Sequence, residues 1–163
     1  MSCPLAVLRI AGPDDEKLRP SLEATAREAG VGDRVEFLGE VDEKRREILL
    51  ESASLLVLPS ISENFGNVVV EALAHGCPAV VTPGVGAAEV LRASNGGWVS
   101  SDSFDAFAQL VAEAMERPSQ ARERGERGRV YVENELAWPV VAARMLDFYR
   151  EVIAHSRTEV HAR

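Results

Sequence analysis

Pro59-Ser60-Ile61-Ser62-Glu63-Asn64-Phe65-Gly66-Asn67-Val68-Val69-Val70-Glu71-Ala72-Leu73-Ala74-His75-Gly76-Cys77-Pro78-Ala79-Val80-Val81 follows the apolar strand Leu55 to Leu58, crosses a polar turn, forms a helix and runs into a second apolar strand. A helix opening near Asn67 leaves its first amide N–H groups without intrahelical partners, at the positive end of the macrodipole. Such an end attracts anions, phosphate above all. Asn67 is the stronger N-cap candidate and Gly66 the weaker one. Without a Cβ, Gly66 lets a ligand approach the backbone closely. Glu71 lies one turn inside the helix, too deep to act as a cap but within reach of a hydroxyl near the helix end. A carboxylate accepts several hydrogen bonds, which suits a vicinal diol such as that of a ribose.

Outward from this stretch, strands alternate with helices, the pattern of a parallel sheet covered on both faces. Strands are expected at Leu5 to Ile10, Val35 to Leu38, Leu55 to Leu58, Ala79 to Thr82 and Trp98 to Val99. Helices are expected at Glu16 to Ala29, with Pro20 in the first turn, and at Glu43 to Ser52, with Ile48, Leu49 and Ser52 facing inward. Further helices are expected at Asn67 to His75, closed by Gly76 and Pro78, and at Ala87 to Leu91. Phe104, Phe107, Val111 and Met115 recur at helical spacing, so their helix packs on the sheet. Ser119 to Asn134 reads as a charged surface helix. The last helix, Trp138 to about Ala154, carries Val141, Met145, Phe148 and Val152 on one face. Residues 1–154 make one domain and residues 155–163 a disordered tail.

The chain has 163 residues, 46% of them hydrophobic, enough for the core of one α/β domain. Its net charge of −8 argues against a nucleic-acid or polybasic membrane partner. The run Arg122 to Arg129 is basic, but its alternating signs suit a solvated helix face. Cys3 and Cys77 make neither a disulfide framework nor a metal site, and Cys77 reads as a small apolar residue. His75, His155 and His161 lack metal-ligand spacing. With no apolar run of membrane-spanning length and no leader, the expected location is the cytoplasm.

Two carboxylates eight apart are commonplace in a chain with 26 Asp and Glu. The whole string is more specific: Pro-Ser, Glu63, Phe65-Gly66, a helix opening with three valines, Glu71-Ala-x-Ala-x-Gly-x-Pro, then a strand. It resembles the Glu-x7-Glu signature of retaining glycosyltransferases of the large sucrose-synthase-like family 4, in the C-terminal, donor-binding half of the GT-B fold. That fold is Rossmann-like, a doubly wound parallel sheet with helices on both faces. The resemblance extends over Leu5 to Ile153. Leu8 to Pro13 matches the strand and glycine turn facing the donor phosphates, which makes Gly12 a contact. Val35 to Val41 matches the strand and turn beside the nucleobase. Val41 is a base contact on this reading and a loop valine covering the core on the other. Gly84-Val85-Gly86-Ala87-Ala88-Glu89-Val90 matches the family's glycine-rich turn. As a dinucleotide fingerprint it fails, because Glu89 replaces the third glycine and Pro83 interrupts the turn. Glu89 reads as a surface or capping carboxylate, or else lines the donor pocket.

The resemblance implies that Glu63 contacts the transferred sugar as the catalytic candidate and that Glu71 holds the ribose. Backbone amides at Asn64, Phe65, Gly66 and Asn67 reach sugar hydroxyls and phosphate. The implied reaction transfers a sugar from a UDP-, GDP- or ADP-sugar to a hydroxyl acceptor with retention, with no cofactor and no metal. Nothing near Glu63 or Glu71 suggests the facing carboxylates of a glycosidase. Relatives of full length add an N-terminal acceptor domain, a first strand and a lysine-bearing turn in the C-terminal domain, and their final helix crosses back to the N-terminal domain. This chain begins at the second strand, so the arginine and lysine that neutralise the departing diphosphate have no counterpart. Loss of such preorganised cations costs several kcal/mol of barrier, and the chain alone is expected to be nearly inactive, a fragment or truncated product. The strands at Leu5 and Leu55 then either pair directly or leave exposed edges open to self-association or to a partner chain. Two other readings remain open: a non-catalytic binding or interaction module, and a GT-B nucleotide-sugar epimerase.

Overall fold

The structure, a computed structural model, describes residues 6–161, with side chains described as far as His155. The elements are β1 (Leu8–Ala11), α1 (Arg19–Glu28), β2 (Val35–Gly39), α2 (Glu43–Ser52), β3 (Leu56–Leu58), α3 (Asn67–Ala74), β4 (Ala79–Val81), α4 (Ala88–Ser94), β5 (Gly97–Val99), α5 (Phe104–Glu116), α6 (Pro118–Tyr131), a π-helical turn at Val132–Leu136, and α7 (Trp138–His161). This is the alternating α/β order expected, with all pairs parallel. Leu5 lies outside the described residues. Pro20 sits in the first turn of α1, where its missing N–H costs nothing.

The strands form two groups. β1 pairs with β2, and the second group has the order β3-β4-β5. Of the two arrangements open to the strands on either side of the chain's first helix and second strand, the structure has the unpaired one: β1 and β3 are not hydrogen-bonded to each other. Val7 and Leu8 are half-exposed at the β1 edge.

β4 is central in its sheet and buried along its whole length. Successive side chains alternate faces. Ala79 and Val81 join Val69 and Leu73 of α3 and Leu91 of α4, with Leu56 and Leu58 packed alongside. Val80 faces the other way, onto Phe107 and Ala114 of α5, together with Leu55 and Val57. Each fully buried valine here stabilises the fold by roughly 1.5–3 kcal/mol. Phe104 does not share this face. It is 82% exposed because it opens α5, ahead of the turn that meets the sheet.

Three other expectations need correction. In α2 the buried residue is Leu50, packed on Ala72 and Cys77, while Ile48 is 54% exposed and Ser52 is also exposed. Leu49 is half-buried, and Ala53 and Leu56 of β3 pack against the same small cluster. α6 is not simply a solvated face, because it buries Ala121, Gly125 and Gly128. Its Arg124 lies over the Trp98 ring at 4.6 Å and donates to the Gly97 carbonyl at 2.8 Å. Burial, and secondarily Arg127, hold the Arg124 pKa below its ordinary value. Finally, the last helix continues to His161, over most of the stretch expected as a tail. No glycine or proline follows Pro139 to stop it. Residues 162 and 163 lie outside the described residues. The face bearing Met145, Phe148 and Val152 is about half-exposed, and so are Leu146, Tyr149 and Ile153.

Cys77 is buried beneath α2, and burial pushes its thiol up to about 11 against the opposing effect of a backbone hydrogen bond at Leu56. It packs as an apolar side chain, as its sequence context implies.

The close approach of α6 to the turn after α3 gives a direct test. A Cβ on Gly125 would lie 1.9 Å from the Gly76 carbonyl oxygen, a backbone atom that cannot step aside. Gly125→Ala is therefore expected to destabilise the fold by about 1–3 kcal/mol in denaturant melts, although alanine is the better helix former.

Candidate functional site

The turn from Ser60 to Gly66 is held by the turn that follows β4. Glu63 and Val85 form a parallel bridge, with the Glu63 amide donating to the Gly84 carbonyl at 3.0 Å and the Gly86 amide donating to the Glu63 carbonyl at 3.1 Å. The Ala87 amide donates to the Phe65 carbonyl at 2.7 Å, and the Thr82 hydroxyl donates to the Ser60 carbonyl. The approach is so close that a Cβ on Gly84 or Gly86 would fall 2.1 Å or 2.3 Å from a carbonyl oxygen of the facing turn. The glycines of the Gly84-Val85-Gly86 segment thus serve backbone packing, and Val85 between them is 1% exposed. Glu89 lies away from this contact, mostly exposed and paired with Arg92, in agreement with its surface reading.

Gly66, not Asn67, is the N-cap of α3. It has φ +84°, in the left-handed region that a side chain disfavours. The docked turn delivers the chain to the helix from that direction, so cap preference yields to backbone geometry. The missing Cβ also works differently from expectation. It would point at Val85 Cγ1, 3.0 Å away, and Glu63 Cγ, 3.3 Å away, inside the turn and not toward a ligand.

The amides from Asn64 to Val68 donate to no group among the described residues, and the first helical bond is Val69 N–H to the Gly66 carbonyl at 2.9 Å. They form a row of donors at a helix N-terminus. Asn64 and Asn67 are exposed, Phe65 is 42% exposed, and Glu63 is half-buried. Glu71, one turn along, makes an ion pair with Arg46 of α2, with Arg46 Nε 2.9 Å from Glu71 Oε2. An exposed pair of this kind contributes only ~0–1 kcal/mol to stability. A second pair between the same elements sets His75 Nδ1 3.6 Å from Glu51 Oε1. Arg46 was missed in the sequence, where it reads as one cation in a charged helix. The available signal is its place four residues before Leu50, the residue that α2 buries.

Gly12 and Val41 follow β1 and β2, so they belong to the two-stranded group, whereas Glu63 to Glu71 belong to the three-stranded one. The Gly12 amide is already used, donating to the Gly39 carbonyl at 2.9 Å, and Val41 is half-buried. Two concave surfaces lie elsewhere. One, of about 390 Å³, is bordered by Ser94, Arg127, Tyr131 and Glu135, and another, of about 310 Å³, by Arg19, Glu23 and Phe37. Among the described residues no three His, Cys, Asp or Glu side chains cluster to hold a metal, and no helix is long and apolar enough to cross a membrane.

The geometry yields a paired test of the cap. Gly66→Ala is expected to lower stability by about 1–2 kcal/mol through its left-handed backbone, whereas Asn67→Ala stays within about 0.5 kcal/mol as a surface change. Chemical denaturation of both variants decides it; a larger loss for Asn67→Ala would return the cap to Asn67.

Comparison with known proteins bears on the family and the fold. The chain is 28% identical over 156 residues to a D-inositol 3-phosphate glycosyltransferase of Streptomyces griseus, covering 94% of this chain and 33% of that protein. It is 32% identical to D-inositol 3-phosphate glycosyltransferase 2 of Catenulispora acidiphila, covering 94% and 36%. The chain thus spans about a third of the length of these relatives. Among solved structures, sucrose-phosphate synthase from Thermosynechococcus elongatus superposes with a TM-score of 0.79 at 28% identity, covering 94% of this chain and 40% of that one. Anabaena HepE, solved in complex with UDP and glucose, has the same TM-score at 18% identity, covering 91% and 41%, a likeness of fold alone. The glycosyl transferases group 1 family matches residues 3–131, and this chain belongs to that family.

Proposed function

We propose that this chain is the donor-binding part of a retaining glycosyltransferase that moves a sugar from a nucleoside diphosphate to a hydroxyl acceptor. The observation that carries the reading is the row of amides from Asn64 to Val68, which have no acceptor among the described residues, at the start of α3, flanked by Glu63 on the turn and Glu71 in the helix. Oriented amides at a helix N-terminus suit the phosphate, and the carboxylates suit hydroxyls on either side of it. Glu63 orients the sugar, Glu71 holds the ribose, and the amides reach sugar and phosphate oxygens. Gly12 and Val41 border the phosphate and base from the other strand group. Because the Gly12 amide already bonds to Gly39, Gly12 contributes space and not a donor.

Stabilisation of the departing diphosphate needs cations, and the acceptor needs a surface. On this proposal both come from outside these 163 residues, from an N-terminal acceptor domain or a partner chain. Among the described residues β1 and β3 are each paired on one edge alone, which favours such a completion, since an unpaired edge binds another strand readily.

The test is a thermal melt of the chain with millimolar UDP, GDP and ADP. At ten times Kd a ligand that binds only the folded state adds about 1.4 kcal/mol. One nucleotide is expected to raise Tm in the wild type and not in Glu71→Ala. The same rise in both would remove Glu71 from the site, and no rise with any nucleotide would overturn the donor-binding reading.

A further inference from the structure

We infer that Arg46 is a positioning residue for Glu71, an inference that rests on the donor-site reading above. The two side chains meet because of register. Arg46 and Leu50 are one turn apart on the same face of α2, and Leu50 is locked against Ala72 and Cys77. Glu71 and His75, the residue that caps the C-terminus of α3, are likewise one turn apart. The two stripes face each other, joined at one end by Arg46 to Glu71 at 2.9 Å and at the other by Glu51 to His75 at 3.6 Å. The Leu50 anchor therefore fixes where Arg46 can reach.

The pair is open on one side, with 42% of the Arg46 side chain and 38% of the Glu71 side chain exposed. Arg46 approaches Oε2, and a carboxylate has about four acceptor positions on its two oxygens. One is taken and the rest remain for a diol. The guanidinium selects one rotamer of the Glu71 side chain, so the acceptors are in place before a ribose arrives. As the ligand excludes water the attraction between the two charges strengthens. Arg46 acts through the carboxylate and needs no contact of its own with the nucleotide.

The test is the affinity of the intact chain for UDP, GDP and ADP and for their 2′-deoxy counterparts, by calorimetry. Arg46→Met keeps the aliphatic stem and removes the charge. It is expected to weaken the preferred ribonucleotide about tenfold, equal to 1.4 kcal/mol, and to weaken the deoxy counterpart, which keeps only the 3′ hydroxyl, by less. Arg46→Lys recovers part of the loss, because the charge survives without the guanidinium's planar fork. In a Glu71→Ala background Arg46→Met has no further effect, the mark of action through one partner. Equal weakening of ribo and deoxy ligands, an added loss in the Glu71→Ala background, or no loss at all would each overturn the inference. If the wild type binds no nucleotide, the donor-site reading falls and the inference with it. If the wild type binds and Glu71→Ala loses ribose preference but Arg46→Met keeps it, only the role of Arg46 falls.

Discussion

The turn carrying Glu63 is held by backbone hydrogen bonds to the turn after β4, and the site depends on that docking. Two turns laced through Glu63, Phe65, Gly84 and Gly86 behave as a short extension of the parallel pair β3 and β4. Their spacing is possible only because glycine stands where a Cβ would strike a carbonyl oxygen. The direction in which the chain enters α3 and the left-handed cap at Gly66 follow from this contact. Val85 between the glycines ties the same turn to the core around Val69 and Leu73. The backbone from Asn64 to Val68 is thus fixed by apolar packing at Val85, while its amides have no acceptor among the described residues.

The second constraint is the contact of α2 with α3. Leu50 buried against Ala72 and Cys77 sets the register, and the charged residues above it meet as a consequence. The Arg46–Glu71 pair is largely exposed and adds little stability. A similar division appears on α6, whose charged outer face conceals a close glycine contact with the end of α3. α3 is held on two sides, by α2 and α6, while its N-terminus is left open.

Much of this was legible in the sequence. Apolar runs bounded by Gly and Pro located all five strands, because a central parallel strand such as Ala79–Val81 must be apolar on both faces. Helices were placed by periodicity and proline, and Glu63 and Glu71 by the string around them. What failed depends on tertiary contact. Cap preference pointed to Asn67, but the docked turn requires a left-handed residue, and that is Gly66. Periodicity in α2 nominated Ile48, Leu49 and Ser52, but the residue it buries is Leu50, with Leu49 half-buried and Ile48 and Ser52 exposed. The pairing of Arg46 with Glu71 joins residues 25 apart in sequence through a helix register that no local pattern encodes. The partition of the strands into two groups became visible only in the pairing.

The central claim is that the start of α3 receives a nucleoside diphosphate. Titration of the isotopically labelled chain with UDP, GDP or ADP, followed by backbone amide resonances, addresses it most directly. The account predicts that the largest shifts fall on Asn64 to Val68 and on Glu71, with smaller ones at the turns bearing Gly12 and Val41. Shifts confined to another surface, such as the concavity bordered by Ser94, Arg127 and Tyr131, would contradict it.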